Sequence, residues 1–133
     1  MKRYLVAPFT LVALAVCAHG FAHHSFAATY LETESMTIEG QLVQFQLRNP
    51  HAYVHVVVKD PDGSMVRWVV EWGSPTQLSG TGVTQNTLKP GDHVIISGNP
   101  GRDPANHRLR LLTLRRPKDG LSWGLLPGET FDR

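Results

Sequence analysis

Three observations predict an all-β fold. From Leu42 to Trp72 two runs of alternating apolar residues are joined by Asp60-Pro61-Asp62-Gly63-Ser64, an earlier run from Met36 to Leu47 changes its apolar phase beside Gly40, and two further alternating runs follow a helix start after Trp72. Alternation puts successive side chains on opposite faces of a strand, and Asp-Gly between such runs signals a hairpin.

The chain has 133 residues, 41% of them hydrophobic, enough for one domain with a core. Met1-Lys2-Arg3, then the apolar run Tyr4 to Val16 and small residues after it, make a secretory signal peptide. The run is too short for a membrane span. Cleavage is expected after Ala22, with Ala18 as the other site, which makes residues 1–22 the signal and sends the mature chain to the periplasm or outside the cell. Either cut removes Cys17, the single cysteine, so no disulfide or thiol chemistry is expected. Loss of Lys2 and Arg3 takes the basic count from 13 to 11, equal to the 11 acidic residues. A neutral mature chain argues against nucleic acid or an anionic membrane as partner, since both call for a basic excess.

Residues 23–35, from His23-His24-Ser25-Phe26 to Ser35, read as an N-terminal arm. The first strand, Met36 to Leu47, has Ile38 and Leu42 in one phase and Val43, Phe45 and Leu47 in the other; a phase switch near a strand glycine predicts a bulge or bend that curls a sheet. Arg48-Asn49-Pro50 breaks the run. In the hairpin, Ala52, Val54, Val56 and Val58 share one face and His51, Tyr53, His55, Val57 and Lys59 the other; Val66, Trp68, Val70 and Trp72 repeat the apolar face. Ser74, Pro75 and Gln77 form a capping-box helix start, which Gly80 and Gly82 end early. A turn near Thr84 to Leu88 and Lys89-Pro90-Gly91-Asp92 lead to a fourth strand, Asp92 to Gly98. A fifth runs from His107 to Arg115, and residues 117–133, rich in glycine and proline, read as an irregular tail.

Three strands, a short helix and two strands is the order of an OB-type barrel. The prediction is therefore a small five-stranded OB-like antiparallel barrel over residues 36–116, with a short helix between strands three and four; an unrelated small antiparallel barrel or sandwich is the alternative. His23-His24-Ser25-Phe26, Asn49-Pro50-His51, Gly73-Ser74-Pro75 and Leu88-Lys89-Pro90-Gly91-Asp92 together resemble the exported bacterial proteins grouped as domain of unknown function 6152. The resemblance implies an exported one-domain β protein and no particular activity. It also implies Glu-Gly-Gly where this chain has Glu71-Trp72-Gly73, and an acid where Leu31 stands.

No Gly-x-Ser-x-Gly elbow, cysteine nucleophile, phosphate loop or His-Glu-x-x-His motif is present, and Asp60-Pro61-Asp62-Gly63 lacks the other ligands of a calcium loop. The expectation is a binding or accessory protein rather than an enzyme. Cleavage after Ala22 would give His23 a free α-amine that chelates a metal together with its own Nδ1; His24 adds an imidazole and His51 completes a site suited to copper as Cu(II). His51 and His55 stand about 13 Å apart on a regular strand and cannot share one ion. Tyr53, His55 and Glu71 are the candidate contacts for a small ligand or periplasmic partner protein without metal. Glu71 is expected at the surface near Arg67, in an ion pair or orienting a histidine. A copper-dependent oxidase with an N-terminal histidine brace is the third reading. His93 and His107 are expected to be exposed, and Trp68 and Trp72 to pack in the core.

Overall fold

The structure, a computed structural model, describes residues 26–124. The predicted signal peptide, His23, His24 and the last nine residues of the predicted tail lie outside the described residues. The elements are α1 (Phe26–Thr29), β1 (Met36–Gln46), β2 (Tyr53–Lys59), β3 (Met65–Glu71), α2 (Pro75–Gly80), β4 (His93–Pro100), a 3-10 turn (Pro104–Asn106), β5 (Arg108–Arg116) and β6 (Leu121–Trp123).

The strands lie in the order β3-β2-β1-β4-β5-β6, and β3 pairs with β5 to close a five-stranded barrel that carries β6 as an extra strand. Closure runs through β1. Its first half pairs with β4 (Met36–Gln41) and its second with β2 (Gly40–Gln46), and the β2 register shifts between Leu42 and Gln44. The extra residue there is Val43, which is 38% exposed, while Ile38, Leu42 and Phe45 are buried; a bulge inserts one residue and flips the phase beyond it. Gly40 is needed beside it for a different reason, since a Cβ would stand 2.2 Å from the Val57 carbonyl oxygen. The core inside the barrel is made by Val54, Val56, Val70, Val94, Ile96, Leu109 and Leu114, all at 0% exposure.

Two features of the expected barrel are corrected. The barrel is not wholly antiparallel: Val69–Glu71 run parallel to Arg108–Arg110. Strand direction cannot alternate all the way around a ring of five, so one pair must be parallel. The helix α2 does follow β3 and precede β4, with Ser74 Oγ accepting from Gln77 N and Gln77 Oε1 accepting from Ser74 N; but α1 and the 3-10 turn are helical as well. The tail is not wholly irregular either, because Leu121–Trp123 pair with Leu114–Arg116 as β6. Trp123 explains this, meeting Trp72 edge to face at 5.0 Å and donating from Nε1 to Thr81 Oγ1 at 2.9 Å. The hairpin turn has Asp60 N donating to Ser64 O and Gly63 at φ 87°. Among the described residues no helix is long and apolar enough to cross a membrane.

Candidate functional site

The site lies at one end of the barrel, where β2 begins and β3 ends. Backbone bonds from Ala52 N to Gly73 O and from Trp72 N to Ala52 O fasten these two strand ends together. His51, following the cis Asn49-Pro50 bond, is thereby set beside Glu71. The arm closes over them. Tyr30 N donates to Phe26 O, Leu31 N to Pro100 O and Arg102 N to Thr29 O, and the Arg102 guanidinium donates to Ala27 O at 2.7 Å. Asn99 Nδ2 donates to Glu34 O at 2.7 Å. These bonds lay the arm across the outer surface, so Tyr30 is fully buried and Glu71 is only 8% exposed.

Glu71 is the centre of the arrangement. One carboxylate oxygen accepts from Tyr30 Oη at 2.5 Å and the other lies 2.6 Å from His51 Nδ1, with Arg108 3.7 Å away. Burial, and after it the bond to Glu71, pushes the Tyr30 hydroxyl well above the usual tyrosine range, so it stays a donor. A carboxylate accepts only, so in its neutral form the His51 ring carries the proton on Nδ1 and leaves Nε2 as a lone pair. Phe26 stacks on the His51 ring, centroids 5.3 Å apart, and the Arg110 guanidinium stands 3.8 Å from the Phe26 centroid while bonding Glu32 at 2.6 Å. Beside the pair opens a cleft of about 510 Å³, lined by His51, Glu71, Trp72, Leu78, Arg110 and Trp123 among others. That volume suits a small ligand.

Of the residues singled out in the sequence, His51 and Glu71 come together. Glu71 is buried rather than at the surface, and its partners are His51 and Tyr30 instead of Arg67, because the arm covers what strand alternation alone leaves outside. Tyr53 is the cross-strand partner of Glu71, but its ring lies under Arg48 at 5.2 Å and does not line the cleft. His55 stands further along β2; burial, then the charges of Arg67 and Arg48, lower its pKa. His93 is exposed and pairs with Glu39 at 2.8 Å. His107, expected to be exposed, is half-buried with its ring edge-on to Trp68 at 5.3 Å. Among the described residues no three His, Cys, Asp or Glu side chains gather as metal ligands. Sequence reasoning gave no role to Phe26 or Tyr30, and it read Arg108 and Arg110 as a solvated strand edge that could at most bind an anion. The one signal for Phe26 and Tyr30 was their spacing of four, which puts their rings 6.3 Å apart on a single helical turn.

Residues 10–110 match the model of a family described as Family of unknown function (DUF6152). No curated protein matches the chain. Among solved structures, the mitochondrial single-stranded DNA-binding protein Rim1 of S. cerevisiae is similar at 11% identity and a TM-score of 0.47, over 63% of this chain and 94% of that one. A small single-stranded DNA-binding protein from Streptomyces coelicolor is similar at 14% identity and a TM-score of 0.41, over 62% and 90% of the two chains.

Proposed function

The chain belongs to DUF6152, a family of unknown function, and for this member we propose an exported, periplasmic or secreted binding or accessory barrel that holds Cu(II) at His51. The supporting observation is the bond between His51 Nδ1 and the buried Glu71 carboxylate. A carboxylate behind an imidazole fixes its tautomer and orientation and raises the basicity of the free nitrogen, the usual setting of a metal-ligating histidine. The His51 side chain is 32% exposed, so Nε2 is reachable from solvent.

The other donors are proposed from the arm. Phe26 lies on His51, and His24 and His23 precede it by two and three residues. Cleavage after Ala22 frees the His23 amine to chelate with its own Nδ1, and His24 adds an imidazole; such nitrogen donors favour Cu(II) among the first-row divalent ions. The test is Cu(II) titration of the natively exported protein, with intact mass to fix the N-terminus and EPR to count nitrogen ligands. Stoichiometric binding lost in His51→Ala, with the chain starting at His23, supports the reading. A chain starting at His19, or binding that ignores His51→Ala, removes it.

The cleft of about 510 Å³ with Trp72 and Trp123 in its wall favours a second reading, a metal-free module for a small apolar ligand. Retention of a small molecule by the exported protein, unaffected by chelators, would distinguish it. Nucleic acid ranks below both readings, because the chain left after the expected cleavage has as many acidic as basic residues. Arg108, Arg110, Arg116 and Lys118 all stand beside carboxylates, which withdraws these four cations from a phosphate backbone.

A further inference from the structure

The outer face of the β2–β3 hairpin carries Arg48, Tyr53, His55, Lys59, Met65 and Arg67. The register brings them together: Tyr53, His55, Val57 and Lys59 lie opposite Glu71, Val69, Arg67 and Met65. Arg48 stands over Tyr53 at 5.2 Å, and the charges of Arg67 and Arg48 both bear on His55. His55 Nδ1 is buried with no hydrogen-bond partner. Arg48, Lys59 and Arg67 take part in no ion pair among the described residues, whereas Glu32, Glu39, Glu71, Asp92 and Asp119 are each engaged elsewhere. This face therefore has cations, an aromatic ring and apolar side chains; its carboxylate, Glu71, is covered by the arm and bonded to Tyr30 and His51, and Asp60 and Asp62 lie beyond the face in the turn.

The edge next to it is open. β3 pairs with β5 only over Val69–Glu71. Val69 N donates to His107 O on that side, and backbone groups alternate along a strand, so the N–H and C=O groups of Arg67 and Met65 point the same way. No strand of the described residues stands there. The Met65 side chain beside that edge is 63% exposed.

We infer that this face is a docking surface for an extended acidic segment of a partner protein, which adds to β3 along Met65–Arg67 and sets its carboxylates on Arg67 and Arg48. Main-chain bonds to a free edge give such a segment its affinity, and alternate side chains give its specificity. A guanidinium fork suits a carboxylate, two bonds at once. Tyr, Met and Arg are the side chains that protein interfaces favour. A nucleic acid fits less well, because the whole chain carries a formal charge of only +2, and a phosphate backbone is held by many neutralising contacts.

The experiment is fluorescence anisotropy of a labelled ten-residue peptide alternating Glu and Val, titrated with the exported protein at about 50 mM and at roughly 300 mM salt. Saturable binding is expected at low salt. It should weaken about tenfold or more, a change of 1.4 kcal/mol per decade, in the doubly reversed Arg48→Glu/Arg67→Glu protein and in the milder Arg48→Gln/Arg67→Gln. Met65→Pro, which removes one outward N–H from an edge position, should weaken it too, while His51→Ala should leave it unchanged. Circular dichroism confirms that each variant is folded. Absence of peptide binding at low salt overturns the proposal, as does binding undiminished in the folded Gln variant. A labelled dT10 oligonucleotide that binds more tightly than the peptide, and is weakened by the same substitutions, also overturns it and gives the face to nucleic acid.

Discussion

His51 and Glu71, twenty residues apart in the chain, are joined by a 2.6 Å hydrogen bond from Nδ1 to a carboxylate whose other oxygen accepts from Tyr30. One buried side chain thus ties the N-terminal arm, the start of β2 and the end of β3 together. Removing it leaves the buried Tyr30 hydroxyl unsatisfied and the half-buried His51 without its partner, and an unsatisfied buried group costs about 1–3 kcal/mol. Glu71→Ala should therefore lower stability by roughly 3 kcal/mol, and Tyr30→Phe by about 1 kcal/mol, in urea denaturation. Glu71→Gln should keep most of the packing while weakening Cu(II) binding by about 10- to 100-fold, the usual effect of losing the group behind a ligating histidine. A Glu71→Ala protein as stable as the parent would mean that the arm is not held by this carboxylate.

Asp92 makes part of the fold's stability depend on pH. Burial raises its pKa, but bonds from Lys118, the Lys89 amide and Arg116 outweigh that and hold it down at about 2. The folded value lies below that of the unfolded chain, so the carboxylate stabilises the fold above about pH 4, and that share is lost as pH falls from about 4 through 2. The shift corresponds to on the order of 2 kcal/mol. Asp92→Asn should cost about that much at pH 7, and the gap between variant and parent should close by pH 2. A gap that stayed constant with pH would show that packing, not charge, holds Asp92.

Local chemistry made most of the barrel legible. The phase switch in β1 reports a bulge, Asp62-Gly63 a tight turn, and Ser74 to Gln77 a capping box, because each is decided by residues within a few positions. The parallel closure of β3 on β5 joins Val69–Glu71 to Arg108–Arg110, nearly forty residues away, and no local pattern encodes it. The same holds for the site. His51 stood out as a histidine at a strand start, but the burial of Glu71 comes from Tyr30 packing across it from forty-one residues upstream. β6 was hidden for a different reason: three residues among glycines carry no periodicity, and what orders them is a tryptophan finding Trp72.

Close backbone approach sets a further test. A Cβ at Gly40 would meet the Val57 oxygen at 2.2 Å, and one at Gly98 the Arg110 oxygen at 2.3 Å, whereas Gly80 at the end of α2 has open space. Main chain cannot yield as a side-chain tip can, so Gly40→Ala and Gly98→Ala should each cost about 3 kcal/mol. Gly80→Ala should instead be neutral or stabilise by up to about 1 kcal/mol, since alanine loses less backbone freedom on folding. Thermal unfolding of the three variants side by side separates crowding from helix propensity. Equal loss at all three positions would count against the close packing of β1 on β2 and β4 on β5.

Trp123 joins the extra strand to the cleft, since its ring meets Trp72 at 5.0 Å, its Nε1 donates to Thr81 Oγ1 at 2.9 Å, and it lines the cavity beside His51. Trp123→Ala removes a half-buried ring, and about 2 kcal/mol of stability should go with it, somewhat less than for a fully buried tryptophan. Trp123→Phe keeps a ring against Trp72 but loses the donor, for about 1 kcal/mol. The functional consequence divides the two readings of the site. Cu(II) held at His51 by nitrogen donors does not touch this indole, so the metal affinity of Trp123→Ala should match that of the parent. A small apolar ligand seated in the cleft loses part of its wall, and its affinity should fall by about tenfold, the value of a partly lost aromatic contact. Titrating both probes into one variant therefore tells whether the cleft or the histidine is what the barrel presents.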